Sequence, residues 1–562
     1  MYGIKSTRSW LILCAISAYS GFVFSPLSFA EEKVTVVKFD KSAKKPSVVN
    51  VLPQRDPQPL IRAIDQEWLR ALRAAKVEPV RAADDAEFLR RACLDLTGRI
   101  PSYDLTVAFL GNEDPNKRSR LIDELLVSND FGQQFGQRWR HLIYPRDLGS
   151  SKQATDRFTP WLAEQFNANR PWNEIVSKLL LTEGEISRDP QASFYTANSE
   201  ESSPKPNLLT SATGRLFLGI QISCAECHNH PFAEWSQEDF WGMAAFFGRV
   251  RKKSKSDFAL TEEPTADAAD TRRDTSIVIP VGTGKGEGKI VAAKFLEAEK
   301  IDPNTEGSLR VRLVEWLTAK KNTNFSQAMV NRLWGHFFSR GIVHPVDDFR
   351  EANPPANPEL LKVLADEFAA SNHDVKHLIR GICNSQAYQC TSQWHGSQET
   401  ISPSLFHHVP VKVMTPELLY DSIQVAINAH PEDHASNTSG KKSGFKRNYI
   451  IFEPRENFVR FFARAPGSDV GDSFSYGIPH QLRLMNANEF NVGAPFITEM
   501  AAKKLETSAA IEALYLVVLS RRPSATETTR MSDYIKQHED LEQAYQGVFW
   551  TLLNSSEFIL VR

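Results

Sequence analysis

Cysteine is scarce, with six in 562 residues. The first, Cys14, lies in the N-terminal apolar run behind Leu13, where a lipoprotein signal would need a small residue. Beyond that run remain Cys93, Cys224, Cys227, Cys383 and Cys390, an odd number and too few for a disulfide framework. An excess of charge is also missing. The chain has 66 Lys and Arg against 68 Asp and Glu, so no global field gathers nucleic acid or an anionic membrane. Past residue 30 no segment approaches the ~18 apolar residues that a spanning helix needs, which predicts no integral membrane segment in the mature chain. The glycine-rich stretch "VGTGKGEGK" lacks a phosphate-loop pattern, because Thr283 and Ile279 stand where its first glycine is required. No nucleophile elbow, zincin motif or pair of glycosidase carboxylates can be picked out either.

What is present begins with an export signal. Lys5 and Arg8 form a basic start, an apolar run follows from Trp10, and Ser28-Phe29-Ala30 precedes a cleavage point after Ala30. The expectation is a periplasmic or secreted protein, with residues 31–58 as a polar tether. Helical periodicity then takes over, as in "LIRAIDQEWLRALRAA", with Leu60, Ile64, Trp68, Leu69 and Leu72 on one stripe. Pro171 stands just inside a helix start. Residues 251–305 break the pattern with a charged linker, and "TSIVI" and "KIVAA" read as a small hairpin around the glycine-rich tip. Helices resume near 306, with Ser308 as a cap and Gly341 as the glycine after "NFSQAMVNRLWGHFFSR"; residues 430–445 read as a polar loop. The fold expected is mainly α: helical domains over 59–250 and 306–562, joined by the charged linker with its hairpin.

"LGIQISCAECHNHPFAEW", residues 218–235, carries the chemistry. Read as a continuation of the helix beginning near Leu208, it puts Phe217, Ile220, Cys224, Cys227 and His228 on one face. Cys-x-x-Cys-His is the pattern of covalent c-type haem attachment: two thiols one turn apart add to the vinyl groups, and the adjacent imidazole binds iron. Two other chemistries compete. Zinc or another transition metal could use the thiolates with His228 and His230, and in an oxidising compartment the pair could close a local disulfide. A distal haem ligand is not evident, since Met243 falls on the next predicted helix and His230 is too near in sequence. In that next segment Ser236 and Asp239 resemble a capping box.

"CAECHNHPFAEWSQEDFWGMAAFFGRV", with "RRACLDLTGRIPS" upstream, resembles the planctomycete cytochrome-C-like domain of unknown function. "VNRLWGHFFSRGIVHPVDDFREANPPANPELLKVLADEF", with "HLIRGICNSQAYQCTS", resembles the planctomycete-specific domain that follows it. The resemblance implies large exported helical proteins with no established activity. Many members carry a separate N-terminal haem-type domain, for which residues 31–58 hold no counterpart. Where relatives often show a Cys-rich stretch near the C-terminus, this chain reads "RAPGSDVGDSFSYGIPHQLRLMN".

A second polar constellation comprises Asn331, Arg332 and His336 on a helix, followed by His344, Asp347, Asp348 and Arg350. Either Asp347 or Asp348 orients His336 for acid–base work or metal binding, or the group is a buried network pinning a loop. Cys383 and Cys390 would lie about 10 Å apart on a continuous helix, so a disulfide needs the helix to break before Cys390, and the two read as free or marginally paired. Three functions remain open: an exported redox protein carrying haem c, a metal-dependent or acid–base enzyme acting on extracellular polymers, and a non-catalytic scaffold with the cysteines as a clip. The corresponding partners are a redox protein or an extracellular polymer, and no nucleic acid.

Overall fold

The computed structural model describes residues 55–144, 152–185, 187–200, 203–231, 233–252, 259–262, 275–279, 288–296, 300–301, 307–394, 401–429, 455–462, 477–486 and 494–562, without the side chains of 152–155 and 259. The stretches read as an export signal, most of a tether, the glycine-rich hairpin tip and the 430–445 loop lie outside the described residues. The chain is mainly α with small antiparallel hairpins. Among the described residues no helix is long and apolar enough to cross a membrane.

Local chemistry sets the elements. The Gln58–Ala74 helix buries Leu60, Ile64, Trp68 and Leu72 at helical spacing, and Leu69 packs half-buried beside them. Pro171 stands at the cap of the Trp172–Leu180 helix, one residue before its first helical position. Ser236 and Asp239 form the reciprocal capping box of the Gln237–Ala244 helix, and Ser308 accepts from Val311 N at the start of Leu309–Leu317. The expected hairpin pairs Ser276–Val278 with Ile290–Ala292, Ile277 opposite Val291. Its second strand leads into Lys294, whose amide donates to Gly242 O (3.0 Å) on the Gln237–Ala244 helix.

Gly341 has a different role from the one its sequence position suggests. The Thr323–Phe338 helix ends on Ser339, which itself takes the left-handed conformation (φ 56°). Gly341 is needed for close approach instead: a Cβ there would lie 2.3 Å from Val343 O and 2.8 Å from the Asn331 carboxamide.

One apolar core takes side chains from both sides of residues 251–305, running from Leu60 to Val409. Leu60 packs onto Gly381, and Trp68 Nε1 donates to Phe406 O (3.1 Å). A second core gathers Met414 to Val561 and is joined by Leu94 and Ile100 from near the start of the chain. The Asp85–Thr97 helix lies between them. Asp84 caps it, Gly98 (φ 73°) ends it, and residues 87–96 are all buried, charged ones included. Arg90 donates to Val518 O (3.0 Å), Phe558 O (2.7 Å) and Ser520 Oγ (3.3 Å) in the second core. Arg91 donates to Tyr388 O (2.8 Å) and Cys390 O (3.0 Å) in the first. Burial pushes the Cys93 thiol on this helix up to about 12, so it behaves as an inert core group. Cys383 and Cys390 are buried and unpaired, the helix Val375–Asn384 breaking at Ser385 between them.

Removing one partner of a buried charge leaves the rest stranded. Arg90→Ala should therefore destabilise the chain by about 3 kcal/mol or more, whereas Arg62→Ala on an exposed face should stay within about 0.5 kcal/mol; urea titration of both variants checks this. A second expectation concerns pH. Burial, reinforced by Lys320, lowers His373 to about 4, and burial with neighbouring His408 does the same to His407. Both values lie below that of an unfolded histidine, so the fold favours neutral rings. The stabilisation is complete above about pH 6.5 and is lost as pH falls toward 4. Tm should drop between pH 7 and pH 5, and His373→Phe should shrink that drop.

Candidate functional site

The helix entering the cysteine segment does not run through it. Pro206–Thr213 is α-helical, Gly214–Leu218 widens into a π-helical turn, and Gly219 adopts φ 70°. Ile220 N closes back on Gly214 O (3.0 Å). Phe217 and Ile220 turn into the core, Phe217 meeting Trp172 and Phe194 at ring separations of 6.1 and 5.9 Å. The expected common face with Cys224, Cys227 and His228 is thus broken by the left-handed glycine. "RLFLG" carried that signal, an apolar run stopped by glycine.

Beyond Gly219 the chain forms a 3-10 turn over Ser223–Glu226. Ile222 and Ala225 are fully buried and plug the turn into the core, while Cys224, Cys227 and His228 are exposed. Cys224 lies within this turn and Cys227 caps its end, and the three-residue period of a 3-10 turn brings residues at that spacing to one side, about 6 Å apart along the axis. Both thiols are free. His228 Nδ1 lies 2.7 Å from Asn229 O. A carbonyl only accepts, so Nδ1 carries the proton and the Nε2 lone pair is left for an electrophile or metal. His230 is half-buried, its backbone N–H donating to Trp235 O (2.7 Å).

The turn is braced by the Gln237–Ala244 helix. Gln237 Nε2 donates to both Glu226 O and Cys227 O (3.1 Å each), and Trp241 Nε1 donates to Glu226 O (2.9 Å). In return Asn229 Oδ1 accepts from Gln237 N (3.1 Å), and Asn207 Nδ2 holds Glu226 Oε1 (2.9 Å). The helix's far side is fixed by Lys294 on Asp239 (2.6 Å) and by Lys289 on Glu238. Met243 is fully buried on this helix, which keeps it from facing an iron held at the exposed turn.

The second constellation separates into parts. Asn331 Nδ2 donates to Val343 O and Val346 O, and its Oδ1 accepts from Val343 N, all at 2.9 Å; this is a buried pin for the loop after the helix. His336 is buried with Nε2 2.9 Å from Asp95 O. Burial, and then the charges of Arg138 and Lys412, hold its pKa well below the usual histidine range. It is a neutral donor to a main-chain oxygen. Neither aspartate is its orienting partner. Asp348 pairs with Arg350 Nε (3.1 Å) and accepts from Asn353 Nδ2 (3.3 Å). Asp347 faces Gln221 Nε2 (3.4 Å), Arg215 (4.0 Å) and Arg332 (4.0 Å), and Arg332 donates to Arg215 O (3.1 Å). The acid–base arrangement expected of His336 with an aspartate is therefore not assembled.

Asp347 and its loop nonetheless reach the cysteine segment. Phe349 N donates to Gly219 O (2.9 Å), and the Phe349 ring lies where a Gly219 Cβ would stand, 2.5 Å away. The loop after the Thr323–Phe338 helix thus seats the base of the segment that carries Cys224. Sequence reasoning left out Gly219, Gln221, Phe349, Gln237 and Trp241 as parts of the site. Only Gly219 had a local signal.

Fold and site together define a mainly α protein that presents a Cys-x-x-Cys-His turn at its surface, braced from both sides of the linker. Residues 63–252 match the family described as PSCyt2, protein of unknown function (DUF1549), and residues 309–535 match PSD1, protein of unknown function (DUF1553). The chain belongs to the two-domain family that joins these in that order. Comparison with curated proteins and with solved structures gives no match.

Gly219→Ala combines a left-handed backbone with a clash against Phe349. It should cost about 2 kcal/mol or more and speed hydrogen exchange across residues 219–230. Adding Phe349→Ala should relieve the clash but not the backbone strain, so the double variant should recover only part of the loss.

Proposed function

We propose that Cys224, Cys227 and His228 attach a c-type haem and that the chain is an exported redox protein. The observation that carries this reading is the exposed turn, with two free thiols three residues apart and an imidazole whose Nδ1 is engaged by Asn229 O. Cys224 and Cys227 would supply the thioether sulfurs and His228 Nε2 a nitrogen ligand to the iron. The Nδ1 hydrogen bond to a carbonyl fixes the tautomer and leaves the Nε2 lone pair free, as a metal-binding imidazole requires. When bound, haem supplies reversible one-electron transfer.

The donor set suits a macrocycle better than a tetrahedral ion. Zinc needs its ligands to converge on one point at about 2.0–2.3 Å. Among the described residues no three His, Cys, Asp or Glu side chains are placed to hold a metal ion. Thioether anchors and an axial ligand need no such convergence, because they reach different atoms of one ring system. The N-terminal export signal supports this reading too, since covalent haem attachment takes place outside the cytoplasm.

The test is expression with its own signal in a host competent for haem c attachment. Wild type should show a Soret band and a covalent mass gain of one haem. Cys224→Ala with Cys227→Ala should abolish both. His228→Ala should keep covalent haem but alter the Soret and visible bands. Wild-type chain without haem, lighter by two hydrogens, would overturn the proposal and make the pair a disulfide clip.

A further inference from the structure

The hydrogen bonds on either side of Cys227 point to residues that no cysteine motif includes. Cys227 is flanked by two peptide units, one beginning at Glu226 O and the other at Cys227 O. Glu226 O accepts from Gln237 Nε2 and Trp241 Nε1, and Cys227 O accepts from Gln237 Nε2. Gln237 and Trp241 stand four apart on the Gln237–Ala244 helix and so share one face. Both carbonyls are held, so both planes that orient the Cys227 Cα–Cβ bond are held. On the opposite side of the turn, Ile222 and Ala225 are locked in the core. A 3-10 turn has weak hydrogen-bond geometry of its own and is used in short pieces. This one is held from outside by the three bonds to the Glu226 and Cys227 carbonyls.

We infer that Gln237 and Trp241 are the positioning residues of the Cys224–Cys227 pair, acting through the Glu226 and Cys227 carbonyls. Neither touches a sulfur. Gln237 contributes two of the three bonds and is the stronger determinant; Trp241 contributes one, together with packing in the core. The sulfur–sulfur arrangement is a property of the chain itself and holds whether or not haem is attached. Only the consequence for haem rests on the function proposed above. A loosened turn would let one vinyl group react without the other and shift the product toward a single thioether.

The experiment compares a two-handed probe with a one-handed probe on the reduced, haem-free full chain. Phenylarsine oxide takes both thiols: two S–H bonds break, two As–S bonds form, and the arsenic oxygen leaves as water. Its affinity reads the effective concentration of the second thiol beside the first. Iodoacetamide alkylates each thiol singly and reads exposure alone. Gln237→Met keeps volume but removes both donors; it should weaken phenylarsine oxide binding by about tenfold while alkylation rates stay within about twofold. Trp241→Phe should show a smaller loss in the same direction. Glu238→Gln, on the same turn of the helix but directed to Lys289, should match wild type in both assays. Circular dichroism and Tm identify any variant that fails to fold, and the remaining variant then decides the matter. Unchanged arsenical affinity in a folded Gln237→Met or Trp241→Phe chain would overturn the inference. Wild type that binds phenylarsine oxide tightly but never acquires haem would overturn the proposed function and leave the positioning role standing. Haem attachment combined with unchanged arsenical affinity in the variants would do the reverse.

Discussion

Everything in this molecule is referred to one constraint: charged groups of the Asp85–Thr97 helix are buried and must find partners there. A buried guanidinium without acceptors would cost several kcal/mol, so its surroundings have few alternatives. Arg90 reaches into the second core, and burial lowers its pKa to about 9, which leaves it charged at neutral pH. Arg91 turns the other way, bonding Glu87 (3.3 Å) and the carbonyls of Tyr388 and Cys390. Asp95 closes the set, accepting from Tyr388 Oη (2.9 Å) and Lys412 Nζ. Apart from Glu87, these partners lie hundreds of residues away along the chain. The two cores are thus oriented relative to each other by directional bonds, a specificity that apolar contact alone would not give.

That orientation is handed on to the cysteine turn. Asp95 O receives His336, which seats the Thr323–Phe338 helix. One turn earlier on that helix, Asn331 fixes the carbonyls of Val343 and Val346, and Arg332 bonds Arg215 O on the π-helical turn. The pinned loop then delivers Asp347 to Gln221 and Phe349 to Gly219. What looked in the sequence like a second polar site is in part the footing of the first. His336 is a neutral structural donor, and its lowered pKa records burial.

This division also explains what could be read from the chain and what could not. The capping box at Ser236 and Asp239, the Ser308 cap and the strands around Ile277 and Val291 are contests between near neighbours, so composition and spacing decide them. The π-helical turn was hidden, and the signal for a break at Gly219 was overridden because Cys-x-x-Cys-His invites a helical reading. Of the two readings open for His336, the one with an aspartate eleven or twelve residues on is not assembled, and the buried network is. The histidine's partner, a carbonyl 241 residues away, has no side-chain signature at all. Main-chain acceptors are invisible to motif reasoning, and here they serve Arg90, Arg91, Arg332, His336, Gln237 and Trp241 alike.

The exposure of the turn bears on why a covalent attachment would be used. A cofactor held without covalent bonds depends on burying most of its surface in a preformed pocket. Cys224, Cys227 and His228 stand outside the core, and the aromatic side chains behind them, Phe240 and Trp241, are turned inward to one another (5.5 Å). Burial at such a place cannot retain a large planar group. Two thioethers, as proposed for Cys224 and Cys227, would. The requirement then shifts from enclosing the group to aiming it, and aiming is what a plugged 3-10 turn with a splint at its back provides.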